Sequence, residues 1–259
     1  MKIDLSVVIP SRTQEKQIIF LERSISSIYN QSIADKFNID VIVAVDKGCH
    51  FDSAVLKNVN FRVIESDGAS QAKALNAGIG EVRNGLAAFL EDDDHWDPRY
   101  LEFATLALLK SDFVSSTQSE RDENNNFKRV NDFPTPSGWV MRSTLLKNVG
   151  YFNESYRFHL DNEWLGRLRN IGASRVHLVE STAPTELELA QSSRHWLANV
   201  LKLSNGCVEL VRHESPYPLI NRLVHSKSGM HQISTNPELH RISMDECKML
   251  VDTFGNIPW

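Results

Sequence analysis

The first 110 residues alternate between two kinds of apolar pattern. Ile3 to Ile9 is a β-branched run and Ile39 to Val45 is almost entirely apolar, which predicts buried strands. Between these runs, apolar residues recur at the helical steps of three and four: Ile18, Leu21, Ile25 and Ile28. The alternation continues with a strand at 61–64, a helix over about 72–82, an apolar run at 86–90 and a helix from Pro98 to about Leu109.

Strands that alternate with helices predict an α/β fold, with a mainly parallel sheet and helices on both of its faces. In such sheets, ligands bind in the crevice outside the carboxyl ends of the strands. Four segments are predicted to lie at that edge: Pro10 to Arg12, Asp46 to Gly48, Glu65 to Ser70 and Glu91 to Asp94.

The pattern beyond residue 111 is more varied. It predicts a strand at 112–117, a polar turn at 120–128, helices at 143–148 and 161–170, and a strand at 175–179. The chain beyond about residue 185 has a mainly helical pattern.

Composition narrows the class of protein. The 259 residues carry 28 Lys and Arg against 33 Asp and Glu, a net charge of −5, so a general nucleic-acid binder with a basic face is not expected. No apolar run reaches the roughly 18–20 residues of a membrane span, and the first residues lack the features of a signal peptide. Three well-separated cysteines favour a reducing compartment. We therefore expect a cytoplasmic protein with no integral membrane segment.

The strongest chemical signal is the run of four carboxylates from Glu91 to Asp94, directly after an apolar strand. Their mutual repulsion costs stability, and a hard divalent cation with oxygen ligands removes that cost. Mg²⁺ or Mn²⁺ bound in this way usually shares phosphate oxygens with a substrate. The alternative is a solvated acidic loop ahead of the helix at Pro98.

Four segments in order carry a resemblance to a known family. SVVIPSR, VIVAVDKG, QAKALNAGIGEVRNGLAAFLEDDDHWDP and VGYFNESYRFHLDNEWLGRL resemble the family 2 glycosyltransferases of the GT-A fold, across roughly residues 4–182. The resemblance implies a GT-A domain at 1–184, with a nucleotide-sugar-binding half at 1–110 and an acceptor-side half at 111–184. A helical C-terminal extension is then predicted for 185–259.

The resemblance assigns five residues of the first half to the nucleotide. Pro10, Ser11 and Arg12 form the turn that lies along it, and Asp46 corresponds to the aspartate that hydrogen-bonds the base, usually uracil. Lys73 corresponds to a residue near the diphosphate. The alternatives are a plain turn at Asp46 and a solvated helix lysine at Lys73.

The acidic run occupies the DXD-type site of this family. The resemblance makes Asp93 the direct ligand of Mn²⁺ or Mg²⁺, with Asp94 as a further member of the metal site or a cap of the next helix. It places Asp92 near the ribose. Glu91 stands where many members have aspartate. A third ligand in some GT-A enzymes is a C-terminal histidine, and three are candidates, each with a packing or surface role as the alternative: His195, His225 and His231.

The second implied catalytic segment runs from Phe158 to Trp164. Asp161 stands at the position of the family's general base, whereas Leu160 replaces the usual glutamate beside it. An N-cap role for Asp161 is the alternative, and both roles can hold together. Trp139, after a proline-rich loop, is the candidate wall for the acceptor or donor sugar.

The implied reaction is a single displacement that inverts the anomeric centre. A sugar moves from a nucleotide-sugar, most often a UDP-sugar, to an acceptor hydroxyl whose proton Asp161 accepts. Carbohydrate and lipid-linked acceptors stay open, as do peripheral membrane association and the oligomeric state. One rival is a non-catalytic nucleotide-binding module. The other, a sugar-phosphate nucleotidylyltransferase, would need a glycine-rich turn that Pro10 to Thr13 lacks.

Overall fold

The computed structural model describes residues 2–12, 17–49, 56, 59–181, 208–225 and 228–259. Twelve strands are found in these ranges, in chain order: β1 Ile3–Ser11, β2 Phe37–Val45, β3 Arg62–Glu65, β4 Leu86–Phe89, β5 His95–Trp96, β6 Phe113–Ser116, β7 Gln118–Arg121, β8 Phe127–Asn131, β9 Val140–Arg142, β10 Arg175–Val179, β11 Val208–Arg212 and β12 Ile220–Leu223.

Seven α-helices accompany them in the described ranges: α1 Gln17–Tyr29, α2 Gln71–Gly80, α3 Tyr100–Ala107, α4 Ser143–Val149, α5 Leu160–Asn170, α6 Gly229–Thr235 and α7 Pro237–Phe254. The five helices predicted near residues 18–28, 72–82, 98–109, 143–148 and 161–170 are all present, as α1 to α5, with bounds that differ by a few residues. Within the described residues, no helix combines the length and the apolar character needed to span a membrane.

Eight strands form the central sheet, in the order β11-β10-β6-β9-β4-β1-β2-β3. Every neighbouring pair is parallel except those made by β9, which is antiparallel to both β4 and β6. The second halves of β1 and β2 are almost wholly apolar and buried. Their side chains pack into apolar clusters on both faces of this sheet. The predicted α/β fold with a mainly parallel sheet is confirmed.

Helix α2 lies unusually close to β1. A Cβ atom added at Gly78 would come within 2.2 Å of a methyl carbon of Val8, so only glycine permits this approach. The side chain of Ser70 caps the start of α2 by accepting the N–H of Lys73 at 3.2 Å. The cap fixes the start of α2 after β3, and the close approach holds α2 against β1.

A second sheet has the order β5-β12-β7-β8 and lies next to the loop that follows β4. The polar turn predicted at 120–128 is the tip of the β7–β8 hairpin, flanked by strand residues on both sides. The described part of the tail contains the expected helices, α6 and α7. It also contains β11 and β12, which the sequence pattern did not predict and which join the tail to both sheets.

Trp139 lies at the centre of an aromatic cluster on one face of the central sheet. Its side chain is fully buried and contacts four aromatic rings at centroid distances of 5.0–6.1 Å: Phe89, Phe113, Phe152 and Trp164. Its indole N–H donates to the carbonyl of Pro134 at 2.7 Å. Because no face of this ring is open to a ligand, the predicted sugar wall at Trp139 is wrong.

His177, on β10, makes the stability of the fold sensitive to acid. Its ring is fully buried, with Nδ1 2.8 Å from the hydroxyl of Ser115, and burial together with nearby Arg175 lowers the pKa of His177 to about 3. In the unfolded chain this histidine binds its proton near pH 6.5. As the pH falls, His177 therefore gains a proton in the unfolded state before it does so in the folded state. The contribution of neutral His177 to the free energy of unfolding is fully present above about pH 6.5 and decreases below it.

We expect His177→Gln to remove this dependence. Between pH 7.5 and pH 5 the difference in unfolding free energy between the wild type and the variant should shrink by about 2 kcal/mol, at about 1.4 kcal/mol per pH unit below 6.5. Urea unfolding of both proteins at the two pH values measures it. A difference that stays constant with pH would contradict a neutral buried His177.

Candidate functional site

The acidic run forms a tight loop at the carboxyl end of β4. The hydroxyl of Ser24, on α1, donates to the carbonyl of Asp92 at 3.0 Å and also contacts that of Asp94. From the other side, the hydroxyl of Ser137 accepts the N–H of Glu91 at 3.1 Å. Two serines from distant parts of the chain thus hold the backbone of the loop, and its carboxylates take defined directions.

Each aspartate of the loop has a different environment. Asp92 accepts the hydroxyl of Ser11, at the end of β1, at 2.6 Å. The side chain of Asp93 lies 2.9 Å from Nε2 of His225. Asp94 is fully buried and accepts two hydrogen bonds, from the hydroxyl of Ser137 at 2.6 Å and from the N–H of Leu223 at 3.0 Å.

Burial and mutual repulsion raise the pKa values of three carboxyl groups of this loop. Burial raises the pKa of Asp92 to about 7, with a further contribution from Asp93. The pKa values of Glu91 and Asp94 are raised by the same two causes, burial first. Such a set of carboxylates is destabilised when it is ionised without a compensating cation.

Among the described residues, Arg222, on β12, faces the loop, as does Arg23 on α1. Burial opposes the charge of Arg222, but Glu91 and Asp94 outweigh that effect, and the pKa of Arg222 is raised above its ordinary value. Its guanidinium also lies 3.5 Å from Glu120. Arg222 could not be identified from the sequence pattern, because the pairing of β12 with both β5 and β7 is what brings the tail against the acidic loop.

The donor set fits a hard divalent cation. Glu91, Asp93 and Asp94 each offer a carboxylate oxygen, and these oxygens lie within 4.8 Å of one another. His225 offers a nitrogen 2.9 Å from Asp93 but is not a member of this set of three. Oxygen-rich sets of this kind suit Mg²⁺ and Mn²⁺. Of the other candidate histidines, His231 is exposed on α6 and His195 lies outside the described residues.

Asp161 lies in the first turn of α5, near the acidic loop. It interacts electrostatically with Glu91 and with Arg222, which places it across from the acidic loop. Burial raises the pKa of Asp161, against the opposing effect of the N–H of Asn162, which donates to its Oδ1 at 2.9 Å. The N-cap position belongs to His159 and not to Asp161. Leu160, in the place of the family's usual glutamate, is buried in the core.

Glu246, on α7, supports the segment that leads into α5. Its buried carboxylate accepts three consecutive backbone N–H groups, from Arg157 at 2.6 Å, Phe158 at 2.9 Å and His159 at 3.0 Å. The ring of His159 extends the contact, with Nε2 2.8 Å from the hydroxyl of Ser243. The direction in which α5 presents Asp161 therefore depends on a residue 85 positions further along the chain.

Replacing Glu246 with glutamine is expected to lower the free energy of unfolding by about 2 kcal/mol, since hydrogen bonds to a buried carboxylate are stronger than those to an amide and one oxygen is lost as an acceptor. Urea unfolding measures the change. Glu209→Gln, at an exposed position of β11, is the matched control and should change it by less than about 0.5 kcal/mol. Equal effects of the two substitutions would contradict the supporting role of Glu246.

The residues predicted to contact the nucleotide lie along the carboxyl ends of β1 and β2. Pro10 and Ser11 end β1, Arg12 follows them and is exposed, and Asp46 follows β2 directly. The carboxylate of Asp92 lies between Ser11 and the rest of the acidic loop. Five predicted positions are thus brought to one edge of the sheet.

Lys73 lies further along this edge, at the side of a groove of about 700 Å³ between α2 and residues 151–154. Its ammonium is 3.2 Å from the carboxylate of Asp67 and 3.9 Å from that of Glu154. Near one wall of the same groove, Asn76 exchanges two hydrogen bonds with the backbone of Phe152, at 2.7 and 3.0 Å. Lys73 is therefore already paired with carboxylates.

A comparison with protein-family models assigns the chain to a class of enzymes. Residues 6–171 match Glycosyl transferase family 2. The chain therefore belongs to this family, and the resemblance noted from its motifs is confirmed.

One curated protein is similar to this chain in sequence. The chain is 27% identical over 195 residues to the minor teichoic acid biosynthesis protein GgaA of Bacillus subtilis (strain 168), an alignment that covers 63% of this chain and 42% of GgaA. The chain thus spans less than half the length of that curated relative.

Solved structures share the fold at low identity. Residues 1–349 of S. aureus TarS in complex with UDP-GlcNAc match 97% of this chain and 67% of that one, with a TM-score of 0.56 and 14% identity. The mannosyltransferase PcManGT from Pyrobaculum calidifontis, in complex with GDP-Man and Mn²⁺, matches 97% of this chain and 76% of that one, with a TM-score of 0.53 and 13% identity. At these identities the likeness is one of fold.

Proposed function

We propose that this chain transfers a sugar from a nucleotide-sugar, with a UDP-sugar as the preferred donor, to an acceptor hydroxyl with inversion of the anomeric centre. The observation that carries the proposal is the arrangement of one cleft. A carboxylate loop able to hold a divalent cation lies at the carboxyl ends of β1 and β4, and Asp161 faces it from α5. A leaving diphosphate and an attacking hydroxyl need groups of these two kinds on opposite sides of the reacting carbon.

On the donor side, the nucleotide follows the strand ends from Asp46 to Ser11. Asp46 accepts an N–H of the base, and the turn from Pro10 to Arg12 lies along the ribose. Asp92, held by Ser11, is placed to accept a ribose hydroxyl. This order of contacts is the one that the family resemblance implies, and it agrees with the position of these residues at a single sheet edge.

At the diphosphate, Asp93 is the principal candidate ligand of Mn²⁺ or Mg²⁺, with Glu91 and Asp94 close enough to complete the set and His225 beside Asp93. When bound, such a cation stabilises negative charge on the leaving nucleoside diphosphate. Arg222, buried beside the loop, adds a fixed positive charge on the same side. Asp94 keeps its two hydrogen bonds and holds the loop against β12.

On the acceptor side, Asp161 accepts the proton of the attacking hydroxyl. Its raised pKa makes it a stronger base than an exposed aspartate, and Glu246 fixes the segment from which it projects. Attack from the side of α5, opposite the leaving group, inverts the anomeric centre. The acceptor itself is a carbohydrate or a lipid-linked molecule.

The test is direct turnover. The full chain is incubated with a panel of UDP- and GDP-sugars and Mn²⁺, and release of the nucleoside diphosphate is measured with and without pooled oligosaccharide and lipid-linked acceptors. The proposal predicts release with a UDP-sugar that stops when Mn²⁺ is chelated. Binding of nucleotides without release under any condition would favour a non-catalytic nucleotide-binding module instead.

A further inference from the structure

A small cavity lies next to the acidic loop, since one of its lining residues, Arg23, donates to the carbonyl of Asp93. It has a volume of about 80 Å³, between α1, β5, β12 and the tip of the β7–β8 hairpin. A cavity of this size has room for a single compact polyatomic ion or a few waters, and none for a nucleotide or a sugar ring. The part of any ligand that lies inside it must therefore be small.

Basic side chains from three elements line this cavity. Arg23 comes from α1, Arg121 from β7 and Arg222 from β12, and the ring of His95, from β5, joins them. Arg222 is balanced by Glu120 and by the acidic loop. Arg23 and Arg121 form no ion pair within 4 Å with a described carboxylate, although the charges of Asp94 and Asp93 act on Arg23. Among the described residues, Arg121 donates to the carbonyl of Asn125 at 3.1 Å, and its guanidinium lies over the ring of Phe127, 5.7 Å from the centroid.

Two buried polar atoms on the same wall lack hydrogen-bond partners among the described residues. These are Nε of Arg23 and Nδ1 of His95. The guanidinium of Arg23 is otherwise fixed, because one terminal nitrogen donates to the carbonyl of Asp93 at 2.6 Å. Leaving such groups unsatisfied is costly, so a small polar ligand that reached them from the cavity would stabilise this part of the fold.

The acidic residues near the cavity do not cancel its positive charge. The carboxylate of Asp122 is occupied by Lys128 at 2.8 Å and by the backbone N–H groups of Asn124 and Asn126 at 3.0 and 2.9 Å. Glu123 is exposed at the tip of the hairpin. The inner wall thus presents two guanidinium groups and an imidazole to a small ligand.

We propose that this cavity binds a phosphate group through Arg23, Arg121 and His95. A guanidinium matches the oxygen pairs of a phosphate with two parallel N–H donors, which a rounder anion such as chloride cannot use in the same way. The group is either free inorganic phosphate or a phosphate ester on a larger molecule. Because Arg222 and Leu223 border both this cavity and the acidic cleft, an ester held here belongs to a molecule that extends toward the cleft.

The experiment measures binding of inorganic phosphate to the full chain by calorimetry and thermal stabilisation. Chelator is present throughout, so that cation-dependent nucleotide binding makes no contribution, and sodium chloride keeps the ionic strength constant. Arg121→Gln should weaken phosphate binding at least about tenfold. Arg241→Gln, which removes the same charge from an exposed position of α7, is the matched control and should bind as the wild type does.

A second ligand separates the two sources of the phosphate. A closed site for the free ion takes inorganic phosphate and excludes glycerol 1-phosphate, whereas a site for an esterified phosphate takes both, and Arg121→Gln weakens either. The proposal is overturned if phosphate has no effect beyond that of sodium chloride, or if a folded Arg121→Gln binds it like the wild type. Should that variant not fold, Arg121→Lys keeps the charge without the paired donors and must still bind phosphate more weakly. Since no sugar transfer is measured, the outcome is independent of the proposed function.

Discussion

Asp161→Asn is expected to lower the rate of sugar transfer by about 10²–10⁴-fold, the range for loss of a general base. The amide has the same shape and can still accept the N–H of Asn162 at its oxygen, so α5 should start as before. Donor binding is expected to be unchanged, because the residues predicted to hold the nucleotide lie at the opposite side of the cleft. Steady-state kinetics together with nucleotide titration measures both quantities.

The pH profile gives this prediction a second measurement. The wild-type rate should rise with pH through the pKa of Asp161, which burial raises above that of an exposed aspartate. This acidic limb should be absent in the residual activity of Asp161→Asn. Asp252→Asn, at an exposed position of α7, is the control and should leave the rate and the profile intact. Near-normal turnover in Asp161→Asn would remove this carboxylate from the reaction.

Asp93→Asn is expected to abolish the part of nucleotide binding that requires Mn²⁺. For the wild type, UDP at a hundred times its dissociation constant should add about 2.7 kcal/mol of stability, since a ligand that binds only the native state stabilises it by mass action. In the variant the amide supplies neither the charge nor the anionic oxygen that a hard cation prefers. Thermal unfolding with UDP, with and without Mn²⁺, measures the loss.

Two comparisons make this result specific. Asp252→Asn should retain the full Mn²⁺-dependent stabilisation, because its carboxylate is far from the acidic loop in sequence and exposed. His225→Gln, which removes the nitrogen 2.9 Å from Asp93, should weaken the Mn²⁺ requirement without removing it. If Asp93→Asn bound UDP and Mn²⁺ like the wild type, the cation site would lie elsewhere in the protein.

Local pattern was sufficient for the acidic loop and for most elements of the central sheet. The apolar run ending at Leu90 fixes a buried strand, and the rule that ligands lie at the carboxyl ends of parallel strands then places the carboxylates that follow it. The helix that carries Asp161 was predicted in the same way, to within one residue at its start. These features depend on residues that are close together in the chain.

The supporting residues could not be predicted because their contacts join distant parts of the chain. The N–H of Leu223 reaches Asp94 across 129 positions, and Glu246 reaches the segment before α5 across 87 to 89. No periodicity records such a pairing. The predicted sugar contact of Trp139 is wrong for a related reason. Its neighbours in sequence suggest a loop, but a short 3₁₀ helix at Pro136–Gly138 leads the chain into β9 and directs this side chain into the core.

Residues of the tail contact both the acidic loop and the segment before α5, and this affects how the protein can be shortened for experiments. A fragment stopped near residue 181 would contain every segment that identifies the family, and would have a complete set of matched motifs. It would nevertheless lack Arg222 and His225 beside the acidic loop, and it would leave the amides of residues 157–159 without their acceptor. The stretch of sequence that family membership recognises is therefore shorter than the unit that must be expressed to preserve the geometry of the site.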